Sequence, residues 1–148
     1  MNSGAGAQKL PGATCPAVQD MKADQLFGLW EVHFSNPPTG LPATATLLLE
    51  RHAEFADSLA GIVSRDLGDA AGLEKLGGHA AKAALAGDLE DGLLLLDESS
   101  DNLSISGTWN AEMMPGSCGK AFEGKWKDTS SNAIATSPDV PFLLRKLP

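Results

Sequence analysis

Histidine and carboxylate side chains are the first candidates for catalytic or metal-binding chemistry. The three histidines, His33, His52 and His79, are scattered along the chain, and a surface or loop position explains each better than metal ligation. Acidic residues cluster between positions 88 and 101, where solvated strand faces and turns explain them better than a calcium or acid–base site. There is no G-x-S-x-G motif, and the glycine-rich segment 67–78 lacks the Lys-Ser/Thr of a phosphate loop. The sequence therefore predicts a non-enzymatic protein without a cofactor or a metal.

The two cysteines, Cys15 and Cys118, lie too far apart in the sequence for a metal site. By count alone they leave two interpretations open, a pair of free buried thiols or a single long-range disulfide. The second would indicate an oxidising compartment.

A repeated pattern of apolar residue, spacer, glycine, spacer and apolar residue runs through the chain. In a β-strand, the glycine and both apolar residues of each copy share one face. An inward glycine lets a strand coil sharply enough for a sheet to close into a barrel. The copies span residues 26–30, 59–63, 85–89, 105–109 and 122–126.

Short alternating segments separated by turn residues predict an all-β protein, an eight-stranded antiparallel up-and-down β-barrel with an N-terminal arm. The arm is residues 1–24, with one short helical turn within 18–26, and residues 25–148 form a single barrel domain. Eight strands enclose an interior that is filled by side chains or holds one small ligand. The predicted strands are residues 27–35, 43–52, 55–66, 79–90, 93–98, 103–113, 118–128 and 140–147.

The connections sort into two ends, because alternate loops of an up-and-down barrel share an end. Short turns close one end, the base, and mostly long loops, including 67–78 and 129–139, surround the other, the mouth. The arm that carries Cys15 enters at the base, and the turn before the seventh strand puts Cys118 there too. The topology therefore favours a disulfide between the two cysteines.

The charge balance excludes several classes of partner. A formal net charge of −8 argues against nucleic acid and anionic membrane surfaces. No apolar run has the length of a membrane span, and residues 1–8 lack the pattern of a signal peptide. With a disulfide, we expect an extracytoplasmic protein, periplasmic or secreted, whose signal peptide is absent from this sequence.

The Gly28-Leu29-Trp30 motif on the first strand and Arg145 on the last resemble the calycin superfamily, which includes lipocalins, fatty-acid-binding proteins, avidins and a group of bacterial metalloprotease inhibitors. In lipocalins a G-x-W motif follows a short helical turn, and a basic residue of the last strand packs on the tryptophan. The resemblance implies that Gly28, Trp30 and Arg145 form a structural base of the barrel. The repeated glycine strands look most like those of avidins, but the chain has no tyrosine, which avidin-like biotin sites use.

Strand parity places a set of mostly aromatic side chains inside the barrel, with Phe142 as a further candidate. Such a lining suits a small apolar or aromatic ligand, although the same rings could simply fill a narrow barrel. An alternative function is a protein-interaction module, such as a protease inhibitor, acting through the N-terminal arm or the mouth loops. The sequence leaves the oligomeric state open. The predicted ligand-binding residues are Phe34, Val63, Ile105, Trp109, Phe122 and Trp126.

Overall fold

The computed structural model describes residues 15–38, 41–65, 81–130 and 139–148. Within them the chain forms eight antiparallel strands that close into a barrel in sequence order, as predicted. The predicted loop 67–78, His79 and residues 131–138 of the predicted loop 129–139 lie outside the described residues. The strands are β1 (Gly28–Phe34), β2 (Thr44–Arg51), β3 (Leu59–Arg65), β4 (Lys82–Glu90), β5 (Leu93–Ser99), β6 (Gly107–Met113), β7 (Ala121–Asp128) and β8 (Val140–Lys146).

The ring closes through pairing of the first and last strands. Trp30 of β1 lies opposite Leu47 of β2 on one side and Lys146 of β8 on the other. Beyond the ladder, the backbone N–H of Leu147 donates to the carbonyl of Leu29 at 2.9 Å. Closure therefore gives β1 and β8 two partners each, as every other strand has.

Two short 3₁₀ helices, Val18–Asp20 and Ala23–Leu26, lead into the barrel where one was predicted. The second is stabilised at its start, where the Gln25 side chain accepts a 2.7 Å hydrogen bond from the backbone N–H of Lys22. Met21 and Ala23 are buried, so this part of the predicted arm packs against the core. Among the described residues, the helices are too short and polar for any to cross a membrane.

The disulfide predicted between Cys15 and Cys118 is present, with the two Cα atoms 5.0 Å apart. Cys118 lies in the β6–β7 connection at the base, where its backbone has a positive φ of 57°. The bond therefore fastens the chain before β1 to the closed end of the barrel.

Glycines allow neighbouring strands to approach closely. A Cβ at Gly61 would overlap the carbonyl oxygen of Leu48 on β2, and the same conflict with a neighbouring strand arises at Gly87 and Gly124. These three glycines of the repeated pattern are therefore required by backbone contact between strands.

Two strands begin four residues later than predicted, because side chains hold the preceding turns. The ring nitrogen Nδ1 of His52 accepts hydrogen bonds from the backbone N–H groups of Glu54 and Phe55, so β3 begins at Leu59. Before β6, an Asp101 carboxylate oxygen accepts hydrogen bonds from two following backbone N–H groups. These hydrogen bonds, of which the one from the Ser104 backbone has the largest effect, lower the pKa of Asp101 from 3.8 to about 2.

Candidate binding site at the mouth end of the barrel

The mouth end of the barrel brings together the last residues of β3 and β5. Val63 faces the interior, and Arg65 follows it two positions later on the same face. On β5 the buried positions are Leu94, Leu96 and Glu98. The alternation of two strands therefore carries one arginine and one glutamate into the barrel.

Arg65 and Glu98 form a two-pronged ion pair. Arg65 Nη1 donates to Glu98 Oε2 at 2.8 Å, and Nη2 donates to Oε1 at 2.9 Å. Both side chains are fully buried, with 0% exposure. This fork-to-fork geometry is the strongest arrangement that an arginine and a carboxylate adopt.

Two tryptophans also donate hydrogen bonds to the Glu98 carboxylate. Trp109 Nε1 donates to Glu98 Oε1 at 2.9 Å, and Trp126 Nε1 donates to the same oxygen at 3.2 Å. The indoles meet there because Trp109 and Trp126 are register partners on β6 and β7. Gly107 makes room for this contact, since a Cβ there would lie only 2.7 Å from Trp126 Nε1.

The two tryptophans that contact the ion pair also pack against two phenylalanines, and we call Phe34, Trp109, Trp126 and Phe142 the aromatic cluster. Ring centroids are 5.2 Å apart for Trp109 and Phe142, and 6.2 Å apart for Phe34 and Phe142. The Arg65 guanidinium carbon lies 5.6 Å from the centre of the Trp126 ring, within the range of a cation–π contact. The mouth half therefore combines aromatic rings in edge-to-face and tilted contact with an internally neutralised charge pair.

One nitrogen atom of the ion pair makes no hydrogen bond to the described residues. The Nε atom of Arg65 is buried, and it has no hydrogen-bond partner among the residues that the structure describes. Buried donors in folded proteins are nearly always paired, so this atom requires a physical explanation.

The predicted ligand-binding residues do not all lie in one place. Phe34, Trp109 and Trp126 meet in the aromatic cluster. Phe122 instead packs edge-on against Trp30 in the base half, with centroids 5.8 Å apart. Val63 is fully buried between Leu47 and Ala83 on the adjoining strands.

The prediction that Ile105 faces the interior is wrong. Its side chain is 46% exposed, because the chain is still turning after Asp101 and the strand begins only at Gly107. The interpretation of Glu98 as part of a solvated acidic run is also wrong, since that side chain is fully buried.

At the base, Trp30 is fully buried, and its Nε1 donates to the Leu26 carbonyl at 2.8 Å. The basic residue opposite it is Lys146, whose Nζ donates to the Gln25 carbonyl at 3.3 Å. The expectation that Arg145 packs on Trp30 is therefore wrong, because alternation puts Arg145 on the exposed outer face.

Arg65 is absent from the predicted set, although its spacing from Val63 already indicates an inward side chain. Glu98 is harder to predict, because the leucine run 93–96 removes the alternation that would reveal which face of the strand is buried. A carboxylate on a mostly acidic hairpin also looks solvated until its partner is known.

His33 is on the exposed face, as parity predicts, with Nε2 3.1 Å from Glu31 Oε1. The alternative of a protein-interaction module depends largely on residues 1–14, 66–80 and 131–138, which lie outside the described residues.

No protein-family model matches the sequence, and comparison with curated proteins gives no match either. The closed eight-stranded architecture is consistent with a calycin-like fold.

Proposed function

We propose that the protein binds a small apolar or aromatic molecule at the open end of the barrel, without carrying out covalent chemistry. The eight-stranded closed barrel supports this proposal, because it is a size that can hold one small ligand. The same architecture and the Gly28-x-Trp30 motif favour a place for the chain in the calycin superfamily.

The observation that carries the proposal is the buried Arg65–Glu98 pair within the aromatic cluster. Taking two charges out of water costs so much that well-packed apolar residues would stabilise most cores equally well or better. Buried charged groups among apolar walls are therefore more typical of functional sites than of structural cores. The buried side chains of the base half, by contrast, are apolar ones such as Trp30, Leu47 and Phe122.

Ligand affinity comes mainly from burying the ligand's apolar surface against the rings, at roughly 25 cal/mol per Å² before the costs of association. The rings of the aromatic cluster touch each other, so the ligand has to separate them. Phe34 and Phe142 are the members to move, because they lie at the end of β1 and the start of β8, next to the mouth.

The Cys15–Cys118 disulfide supports an extracytoplasmic location, since such bonds persist in oxidising compartments. A binding protein there meets exogenous or exported small molecules. The proposal therefore places the ligand in the periplasm or outside the cell.

The test is titration with the neutral fluorescent probe N-phenyl-1-naphthylamine, whose emission rises in apolar surroundings. We expect saturable binding to the wild type and at least fivefold weaker binding to Phe34→Ala, because a ring that contacts the ligand is lost. Phe55→Ala is the matched control, since Phe55 is 61% exposed in the β2–β3 turn at the base, and its affinity should equal that of the wild type.

Absence of saturable binding, with the probe and with a panel of neutral aromatic molecules, would overturn the proposal. Equal loss of affinity in Phe34→Ala and Phe55→Ala would show that the probe does not bind at the mouth, and would overturn the proposed position of the site.

A further inference from the structure

The Nε atom of Arg65, which has no hydrogen-bond partner among the described residues, indicates the chemistry of the ligand. A guanidinium carries five N–H donors in one plane. Two of its nitrogens, Nη1 and Nη2, point at Glu98, so the Nε–H lies on a different edge of the group. That edge keeps a buried donor without a partner among the described residues.

A donor in this position favours one kind of ligand atom. Desolvating an N–H without replacing its hydrogen bond to water is unfavourable, and an acceptor placed by the ligand removes that cost. The neighbouring rings of Trp109 and Trp126 offer only N–H groups as polar atoms, and both already donate to Glu98. The missing partner is therefore an oxygen or nitrogen acceptor on the bound molecule.

Charge balance decides between a neutral and an anionic acceptor. Glu98 already neutralises Arg65, so a carboxylate or phosphate would add an uncompensated charge to a buried site. The formal net charge of −8 acts in the same direction, by repelling anions from the protein. A neutral carbonyl oxygen accepts the Nε–H without either penalty.

The surrounding rings set the shape of the rest of the molecule. Phe34, Trp109, Trp126 and Phe142 contact one another at tilted and edge-to-face angles, and a guest that separates them meets aromatic faces and edges, which suits a flat aromatic frame. Building on the proposed binding function, we infer that the ligand is a neutral, planar aromatic molecule with a carbonyl oxygen that accepts a hydrogen bond from Arg65 Nε.

The test compares three probes that share one bicyclic frame. 2-Acetylnaphthalene carries the carbonyl, 2-isopropenylnaphthalene replaces its oxygen with a CH₂ group of similar shape, and 2-naphthoate carries a full negative charge. Dissociation constants are measured by isothermal titration calorimetry near neutral pH. We expect the ketone to bind about tenfold more tightly than the hydrocarbon, as is typical of one hydrogen bond to a charged donor, and the carboxylate to bind most weakly.

The double variant Arg65→Met/Glu98→Gln assigns the preference to the ion pair. It removes both charges together and leaves an amide oxygen in place to accept from the two indoles. The quantity compared is the ratio of the ketone affinity to the hydrocarbon affinity, measured within one variant. A loss of affinity that is common to both probes does not change this ratio. We expect this ratio to fall from about ten to about one. Arg65→Lys, which keeps the charge but has no Nε edge, provides a second variant, and its ratio should fall at least threefold.

The two proposals fail in different ways. If none of the three probes binds, both the binding function and this inference are overturned. If ketone and hydrocarbon bind equally well, or if the variants keep the preference, only the carbonyl assignment is lost. Tighter binding of 2-naphthoate than of the ketone would show that the site takes an anion and would overturn the neutral assignment.

Discussion

At the level of single residues, the main feature of the mouth half is that Arg65 and Glu98 are buried together. Neither charge has access to water, and each depends on the other for neutralisation. The two tryptophan N–H groups add hydrogen bonds to Glu98 and fix its orientation. Because the four side chains form one network, removing a single member leaves buried polar groups of the others without a hydrogen bond or a counter-charge.

We predict that Arg65→Met alone lowers the free energy of unfolding by about 3–5 kcal/mol, because it leaves Glu98 buried without a counter-charge. The double variant Arg65→Met/Glu98→Gln should lose less than the single variant, since no bare charge remains. Both values are measured by denaturation with guanidinium chloride.

Arg51→Met provides the matched control on the exposed end of β2, and its effect should stay within about 0.5 kcal/mol. A single Arg65 variant that is no less stable than the double variant would contradict the account of a mutually dependent pair.

The residue scale is also where prediction from sequence reaches its limit. Parity correctly places Phe34, Trp109 and Trp126 inside, because aromatic residues alternate with polar ones on their strands. Glu98 escapes prediction, because a carboxylate is buried only when a specific partner meets it in three dimensions. Arg65 supplies that partner from a strand 33 positions away in sequence.

At the level of the strands, the repeated glycine pattern has a definite physical cause. Adjacent backbones pass so close at Gly61 and Gly124 that no side chain fits between them. The pattern predicts the strands and their inward faces. It does not predict where β3 and β6 begin, since those starts depend on hydrogen bonds from His52 and Asp101 to nearby backbone groups.

We predict that Gly61→Ala lowers the free energy of unfolding by about 3 kcal/mol, because the new methyl group forces β2 and β3 apart. The measurement is chemical denaturation monitored by tryptophan fluorescence, with circular dichroism to verify that the strands persist.

Gly116→Ala serves as the comparison, because its added methyl group meets no atom within 4 Å. Only the positive φ of 77° opposes alanine there, which costs about 1 kcal/mol. If the Gly116 variant proved less stable than the Gly61 variant, strand contact would not be what the repeated glycines serve.

At the level of the whole molecule, the short turns and the disulfide lie at the same end of the barrel, the base. The turns between β2 and β3, β4 and β5, and β6 and β7 lie there, as does the entry of the chain into β1. Sorting loops by their lengths predicts this arrangement and the cysteine pairing, because both depend on topology alone. The chemistry of the mouth depends on side-chain partners, which topology does not specify.

We predict that removing the disulfide with Cys15→Ser/Cys118→Ser lowers the free energy of unfolding by about 2–5 kcal/mol, because the unfolded chain is no longer cross-linked across 103 positions. Guanidinium chloride unfolding with and without dithiothreitol measures the effect.

The variant itself should be indifferent to dithiothreitol, whereas the reduced wild type should approach the stability of the variant. An unchanged wild type after complete reduction would show that the cross-link contributes little to stability.

The pairing of β1 with β8 has a consequence for engineering. Gly28 and Lys146 lie side by side at the base, so a short linker can join the two ends of the barrel. New termini can then be opened at the Asp91–Gly92 turn, on the same side of the molecule. A circularly permuted barrel of this kind keeps the order of its strands around the ring but loses the Cys15–Cys118 disulfide together with the residues before Gly28, and it provides a scaffold for attaching a fluorescent reporter behind the proposed ligand site.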